Sequence, residues 1–227
     1  MTTQNIREII ARRAADELKI GNLVNLGIGM PTMVADYISP EKHIVFQSEN
    51  GMAGVDATPQ AGQEDWHITN SAGAPVTAIT GASYFDSALS FSIIRGGHVD
   101  ATILGAMEVD QEGNLANWIV PNKMVAGMGG AMDLVVGAKK VIIMMEHCNK
   151  NGEPKILKKC RLPLTAARQV NLIITELAVI EVTGNGLLLK EISIDTTVET
   201  VLKKTEAELM VDKQIKYFGV SNEESND

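Results

Sequence analysis

Apolar residues at Ile6, Ile9, Ile10, Ala14 and Leu18 recur at helical spacing, with Arg7, Arg12, Arg13 and Asp16 on the other faces. The chain therefore opens on an amphipathic helix, which Gly21 stops. Asn22 to Leu26 then reads as a short buried strand. A turn follows at Gly27-Ile28-Gly29-Met30-Pro31, and Thr32 is placed to cap a short helix through Tyr37. His43 to Gln47 is the next strand. Periodicity disappears from Met52 to Pro75, a stretch longer than most connections and so a functional or interface loop. Val76 to Thr80 resumes an extended pattern, Ser83 to Ile94 predicts a helix closed by Gly96-Gly97, and Val99 to Leu104 predicts a strand. Ala131 to Val136 reads as a short helix. Val141 to Met145 is apolar at every position, as in a sheet covered on both faces. Leu172 to Thr175 is strand-like, and Ala178 to Val182 with Leu187 to Ile192 flank Gly184-Asn185-Gly186 as a hairpin. Thr197 caps a helix through Leu209, with Val198, Val201 and Leu202 on its apolar face. Strands alternating with helices define an α/β protein: a single open, parallel or mixed sheet flanked by helices.

Composition narrows this. At 227 residues, with 45% hydrophobic and 21% charged, the chain supports one large domain, expected over residues 1–217. Residues 218–227 form an acidic tail too polar to bury anything and are expected to be disordered. A net charge of −8, no basic stripe and few aromatic residues argue against a nucleic-acid partner. Lys158-Lys159 with Arg161, and Lys203-Lys204, read as solvated faces. No apolar run reaches the roughly 18 residues of a membrane span, and Met1 to Gln4 carries no signal pattern. Cys148 and Cys160 lack metal-site spacing, and so do His43, His67, His98 and His147. These features lead us to expect a cytoplasmic protein with reduced thiols and no metal.

The candidate chemistry centres on Gln47-Ser48-Glu49-Asn50-Gly51, where a strand gives way to a loop. Strand residues fix the approach of Glu49, and Gly51 lets the backbone turn away without a side chain over the carboxylate. A lone loop glutamate is ordinarily a surface ion pair, so company decides. Gly127-Met128-Gly129-Gly130-Ala131-Met132-Asp133 is a glycine-rich turn whose N–H groups can face an anion. A carboxylate attacking a thioester needs such donors, because charge develops on the carbonyl oxygen. The Gly27–Pro31 turn is no dinucleotide fingerprint, since it lacks the third glycine and Pro31 stands where the helix would open. His98 is a candidate base, more often satisfied locally at such a position. His147 and Cys148 are adjacent in a strand and point to opposite faces, which disfavours a thiol–imidazole pair. Asn114, Asn117, Trp118 and Lys123 could equally contact substrate or pack a loop.

The Ser48-Glu49-Asn50-Gly51 segment resembles the catalytic signature of the family I CoA-transferases. The likeness continues in family order through Asn25 to Pro31, Ile94 to Asp100, Leu104 to Met107, Leu115 to Trp118, Gly127 to Leu134, Met145 to His147 and Cys160 to Thr165. Covering roughly residues 5 to 210, the segments resemble the B-type subunits of 3-oxoacid CoA-transferases, including acetate/butyrate–acetoacetate enzymes. One departure is Met52-Ala53, where the family has larger aliphatic residues beside the nucleophile. The resemblance implies that Glu49 carries first an acyl group as an anhydride and then CoA as a thioester. It implies further that Gly130 supplies an oxyanion N–H and that Asn50 and Gly51 shape the site. Gly27, Gly29 and Gly129 would then line the substrate and CoA cleft. No cofactor is implied beyond the CoA thioester substrate. An A-type subunit carrying a second oxyanion donor is implied as partner, in an A2B2 heterotetramer, with this chain inactive alone. Acetoacetyl-CoA with acetate or butyrate fits the bacterial short-chain versions. A subunit of a succinyl-CoA:3-oxoacid transferase, an acyl-CoA hydrolase and a non-catalytic ligand-binding module are the rivals.

Overall fold

The computed structural model describes residues 3–121 and 128–219. Helix α1 (Thr3–Ala15) leads into strand β1 (Leu23–Leu26), a 3-10 helix (Met30–Tyr37) and β2 (Val45–Ser48). β3 (Met52–Val55) and β4 (Ala78–Tyr84) turn back antiparallel. Helix α2 (Ser87–Arg95) and β5 (Ala101–Gly105) follow, then the short strands β6 (Glu108–Asp110) and β7 (Leu115–Ala116). After α3 (Ala131–Gly137) come β8 (Val141–Met144), β9 (Ile156–Leu157) and β10 (Leu172–Ile174). β11 (Ala178–Thr183), β12 (Gly186–Ser193), α4 (Val198–Lys204) and β13 (Leu209–Phe218) complete it.

Ten strands form one mixed sheet in the order β13-β12-β11-β10-β8-β5-β1-β2-β3-β4. β10, β8, β5, β1 and β2 are mutually parallel. The chain moves from β1 outward to β2, then crosses back to β5 on β1's other side. Their carboxyl ends diverge there into a crevice, the usual ligand position in an open α/β sheet. Alternation within β8 explains its unbroken apolar run. Val141 and Ile143 enter a core with Leu104, Leu115 and Ile173, while Ile142 and Met144 enter one with Ile10, Val24 and Val34 beneath α1 and the 3-10 helix. Ile94, Val99 and Leu134 form a third cluster where α2 and α3 pack.

Several expectations need correction. The expected open mixed sheet flanked by helices is present, and β6, β7 and β9 add a separate three-stranded sheet that was not foreseen. Their segments are two or three residues long, too short to show a period. The loop expected from Met52 starts with β3, because Met52–Val55 pairs with both β2 and β4. Ser83 and Tyr84 belong to β4, and α2 begins only after Asp86, whose carboxylate caps it by accepting from the Leu89 N–H at 2.8 Å. Gly29, not Thr32, is the N-cap residue of the 3-10 helix, and the Thr32 hydroxyl donates to the Gly29 carbonyl instead. α4 stops at Lys204, because Leu209 begins β13 beside β12. Leu202, expected on the apolar face of that helix, is exposed. Phe218 is buried at the end of β13, which carries the domain past residue 217. The rest of the acidic tail from residue 220, like Lys123 and Gly127, lies outside the described residues.

Candidate active site

Glu49, Asn50 and Gly51 form the turn joining β2 to β3, with the Gly51 N–H donating to the Ser48 carbonyl at 3.0 Å. Gly51 takes a φ of 127°, and a Cβ there would lie 2.0 Å from the Phe85 carbonyl oxygen. The Phe85 N–H in turn donates to the Gly51 carbonyl at 2.9 Å. This contact pins the start of α2 beneath the turn and brings Ser90 and Phe91 under the half-buried Glu49.

Alternation along β2 sends Gln47 and Glu49 toward α2. The Gln47 amide donates to the Ser90 hydroxyl at 2.9 Å, and Gln47 Oε1 accepts from Asn25 Nδ2 of neighbouring β1 at 2.8 Å. The same Asn25 nitrogen reaches Glu49 Oε2 at 3.2 Å. Asn25, Gln47 and Ser90 are all at most 3% exposed. Asn25 Oδ1 is buried without a partner among the described residues, which costs on the order of 1–3 kcal/mol.

The glycine-rich turn approaches from the other side. A Cβ on Gly130 would stand 3.1 Å from Glu49 Cγ, 3.5 Å from its Cδ and 3.3 Å from Phe91 Cζ. Only glycine lets the turn come this close. Neither the Gly129 nor the Gly130 N–H has an acceptor among the described residues. Arg95 holds α2 to α3: its guanidinium meets Asp133 at 2.7 Å and stacks over Phe91. Arg95 is exposed, so the pair is screened by solvent and orients the two helices more than it stabilises them. The structure thus brings together Glu49 and Gly130, which lie far apart in sequence.

The other candidates divide. The Asn50 side chain turns away from Glu49 and donates to the Thr69 carbonyl at 2.7 Å, while Ser48 Oγ accepts from the Ser71 N–H at 3.0 Å. Both bonds strap the loop at 56–77 onto the Glu49 turn. Gly27 packs against β5, where a Cβ would meet Leu104 Cδ2 at 2.9 Å. Gly29 has open space around it. Beside them lies a cleft of about 300 Å³ lined by Ile28, Met30, Gly105, Glu146 and Lys155, at the carboxyl ends of β5 and β8. A larger cavity of about 750 Å³, around Arg168, Asn171 and Asn185, opens at the opposite edge of the sheet, away from Glu49.

His98 is exposed where α2 leads into β5, also at the opposite edge. His147 is fully buried, with its ring nitrogens 2.9 Å from the Thr175 and Thr205 hydroxyls. The Thr205 hydroxyl gives its own hydrogen to the Val201 carbonyl, so His147 Nε2 is the donor of its pair. Burial, with the nearby Lys204 and Lys155 charges, pushes the imidazole down to about 4. It does not meet the Cys148 thiol, whose Sγ faces the Lys204 carbonyl. Both cysteines are free. Asn114 bonds Asp110, Asn117 bridges Thr165 and the Gly105 carbonyl, and the Trp118 indole donates to the Leu164 carbonyl. All three pack their loop. Sequence reasoning passed over Asn25, Gln47 and Ser90 as site residues. A polar residue in the next-to-last position of each of two neighbouring strands was the available signal for Asn25 and Gln47.

A doubly wound sheet here presents a half-buried carboxylate between a carboxamide and a glycine turn, the arrangement of a candidate site for acyl chemistry. Residues 7–204 match the coenzyme A transferase family, and the chain belongs to it. The protein is a CoA-transferase subunit of the beta type. It is 54% identical over 217 residues to the beta subunit of the acetate CoA-transferase of Haemophilus influenzae, covering 96% of this chain and 97% of that one. It is likewise 54% identical over 206 residues to the B-type subunit of the succinyl-CoA:3-ketoacid coenzyme A transferase of Helicobacter pylori, covering 91% and 99%. The crystal structure of the acyl-CoA transferase YdiF from Escherichia coli O157:H7 superimposes with a TM-score of 0.77 at 23% identity, which establishes the shared fold. It covers 96% of this chain, which spans 44% of YdiF. No helix among the described residues is long and apolar enough to cross a membrane.

Proposed function

We propose that the chain is the nucleophile-bearing subunit of a short-chain acyl-CoA:carboxylate CoA-transferase that works by ping-pong exchange through Glu49. Glu49 attacks the acyl-CoA carbonyl, the CoA thiolate leaves, and an acyl-glutamyl anhydride forms. The thiolate then attacks the glutamyl carbon, releasing the donor acid and leaving a glutamyl-CoA thioester, and an acceptor carboxylate reverses these steps. The Gly130 N–H receives the acyl oxyanion. Asn50 and Gly51 hold the turn, while Gly27, Gly29 and Gly129 border the path of CoA along the carboxyl edge. Binding energy from the distant CoA moiety offsets the cost of the activated intermediates. These steps use only a carboxylate, a thioester and neutral donors, and no metal or further cofactor.

The observation that carries the reading is the Glu49 side chain held between Asn25 and Gly130. Acetoacetyl-CoA with acetate or butyrate is the favoured substrate set. A succinyl-CoA:3-oxoacid exchange is a second reading, supported by the equal identity to the Helicobacter pylori relative. The beta and B names of the relatives support a complementary A-type partner, and A2B2 is the proposed assembly, in the cytoplasm. The test is to incubate the chain, co-purified with that A-type partner, with acetoacetyl-CoA, quench with borohydride or hydroxylamine, and map the modified peptide. Modification at Glu49 is expected, and modification elsewhere refutes the reading. Acyl-CoA consumption that does not require added acetate would identify a hydrolase instead.

A further inference from the structure

We propose that Thr102 is a positioning residue of the Glu49 site: its hydroxyl, through one buried water, holds the inner end of the Asn25 amide. It thereby closes a polar row that runs from Ser90 through Gln47 and Asn25 to Thr102, across β2, β1 and β5. The inference rests on the reading of Glu49 as the group that exchanges acyl and CoA.

The register places the row. β1 lies between β2 and β5, parallel to both, and Asn25 stands opposite Gln47 on one side and Thr102 on the other. Ala101 and Ile103, which flank Thr102, enter the core beneath α1, as Val24 does beside Asn25. Successive strand residues point to opposite faces, so Thr102 and Asn25 share the other face, the one on which Gln47 meets Ser90 of α2. Thr102 is fully buried there. Its backbone is satisfied, since its N–H donates to the Lys140 carbonyl at 2.9 Å.

Among the described residues three buried side-chain atoms lack a hydrogen-bond partner, and two of them, Asn25 Oδ1 and Thr102 Oγ1, belong to these register partners. Their coincidence on neighbouring strands is the observation that carries the proposal. Asn25 Nδ2 is fixed toward β2 by Gln47 Oε1 at 2.8 Å and by the Gln47 carbonyl at 3.2 Å. Oδ1 is therefore turned away from β2, and the next strand on that side is β5. An amide oxygen only accepts, whereas a hydroxyl does both, so a water between them donates to Oδ1 and shares a hydrogen bond with Thr102. Unsatisfied buried groups are rare in folded proteins, and buried waters gather at such groups, with roughly two to four polar partners each. Asn25 is then held at both ends, and the amide that reaches Glu49 Oε2 at 3.2 Å is set by three strands and not by the turn alone.

The test compares Thr102→Val and Thr102→Ser in the chain co-purified with its A-type partner. Valine keeps the shape of threonine and removes only the hydroxyl, so the sign of its effect is diagnostic. If Thr102 Oγ1 were a true orphan, valine would relieve it and raise the melting temperature. If it holds the water, valine leaves Asn25 Oδ1 without a donor, and melting should fall by about 2–4 °C. The Asn25 amide then loses its rear support, so kcat for CoA transfer from acetoacetyl-CoA should drop roughly tenfold, with KM within about threefold. Thr102→Ser keeps the hydroxyl and should restore kcat to within about twofold of wild type. A valine variant that melts higher, or that transfers CoA at the wild-type rate, overturns the proposal. So does a serine variant as slow as the valine one, which would assign the effect to packing. If Thr102→Val does not fold, a high-resolution crystal structure of the wild type decides: ordered water within hydrogen-bond reach of both oxygens is expected, and its absence overturns the proposal. A wild-type protein that forms no Glu49 adduct sinks the proposed function itself, whereas a labelled wild type with a fully active Thr102→Val sinks only this inference.

Discussion

Gly130→Ala separates the chemical role of the glycine turn from its structural one. The backbone at Gly130 has φ −82° and ψ 4°, which alanine adopts freely, so the substitution leaves the turn unstrained. Replacing glycine at an N-cap costs the helix about 1 kcal/mol or less, a melting shift of about 2–4 °C in a chain this size. The new methyl would stand 3.1 Å from Glu49 Cγ, with Phe91 Cζ at 3.3 Å closing its retreat. Carbon contacts settle at about 3.5 Å or beyond, so Glu49 Cγ must yield by about 0.4 Å. The carboxylate oxygens lie farther along the same lever and move by roughly 0.5–1 Å. Misplacement on that scale costs about 100-fold in rate, or about 2.7 kcal/mol of barrier. The assay is kcat/KM for CoA transfer by the assembled enzyme, read beside the melting temperature. Gly21→Ala is the control: at φ 74° with no atom within 4 Å of its Cβ, ahead of the amino end of β1 and away from Glu49, it should lose about 1–2 kcal/mol of stability while its rate stays within a few-fold. A Gly130→Ala protein within threefold of wild-type rate, or one whose loss tracks its melting, would refute the steric argument.

Further outcomes follow from the same contacts. Gly51→Ala places a methyl 2.0 Å from the Phe85 carbonyl oxygen at a φ of 127°, so it should cost about 3 kcal/mol or more. The melting temperature should then fall by about 6–12 °C. His147 is held neutral in the fold by burial and nearby lysines, down to about 4, against 6.5 when free. Between those values the unfolded chain binds a proton that the folded chain refuses, so stability is full above pH 6.5 and lost as pH falls toward 4. The gap is worth about 3 kcal/mol. Urea midpoints at pH 7 and pH 4.5 should show that loss in the wild type, and His147→Gln should flatten it. Asn50→Ala releases the strap to Thr69 and should raise proteolytic cleavage within residues 56–77 several-fold while Glu49 remains modifiable. Equal cleavage would show that the Ser48–Ser71 bond suffices.

The fold was legible where the period of apolar residues was long enough to count. α1, β1, β2, β5, β8, β10 and the β11–β12 hairpin fall where alternation or helical spacing placed them. β3 was hidden because Met52-Ala53-Gly54-Val55 offers one large apolar side chain and a glycine. Its strand character comes from pairing with β2 and β4, which is tertiary information. The helix read from Thr197 ran five residues too far, into Leu209, and the rest of β13 was not read as a strand, because Leu209–Phe218 becomes extended only by pairing with β12. The site was half legible. Glu49 and Gly130 stood out as residue types suited to loops and anions, and the fold places them in contact. Asn25 and Gln47 were visible only as polar interruptions in apolar strands. Their meaning depends on β1 and β2 being neighbours in register, Asn25 opposite Gln47.

The choice of neutral partners for Glu49 has its own physical logic. Among the described residues Glu49 enters no ion pair; its side chain accepts from a carboxamide and faces a glycine. A lysine or arginine against the carboxylate would stabilise its charged ground state and blunt its attack on a thioester. It would also be stranded once Glu49 became a neutral anhydride or thioester, since a half-buried cation without its counter-charge costs several kcal/mol. A carboxamide avoids both penalties. It is a modest neutral donor to the carboxylate and leaves no stranded charge if that carboxylate is neutralised. The same reasoning predicts that Asn25→Lys, even if it folds by extending past Gln47, will lower the rate of acylation by acetoacetyl-CoA below that of Asn25→Ala. Single-turnover mixing of the two variants checks this, and a lysine variant faster than the alanine one would show that a cation beside this nucleophile is an advantage.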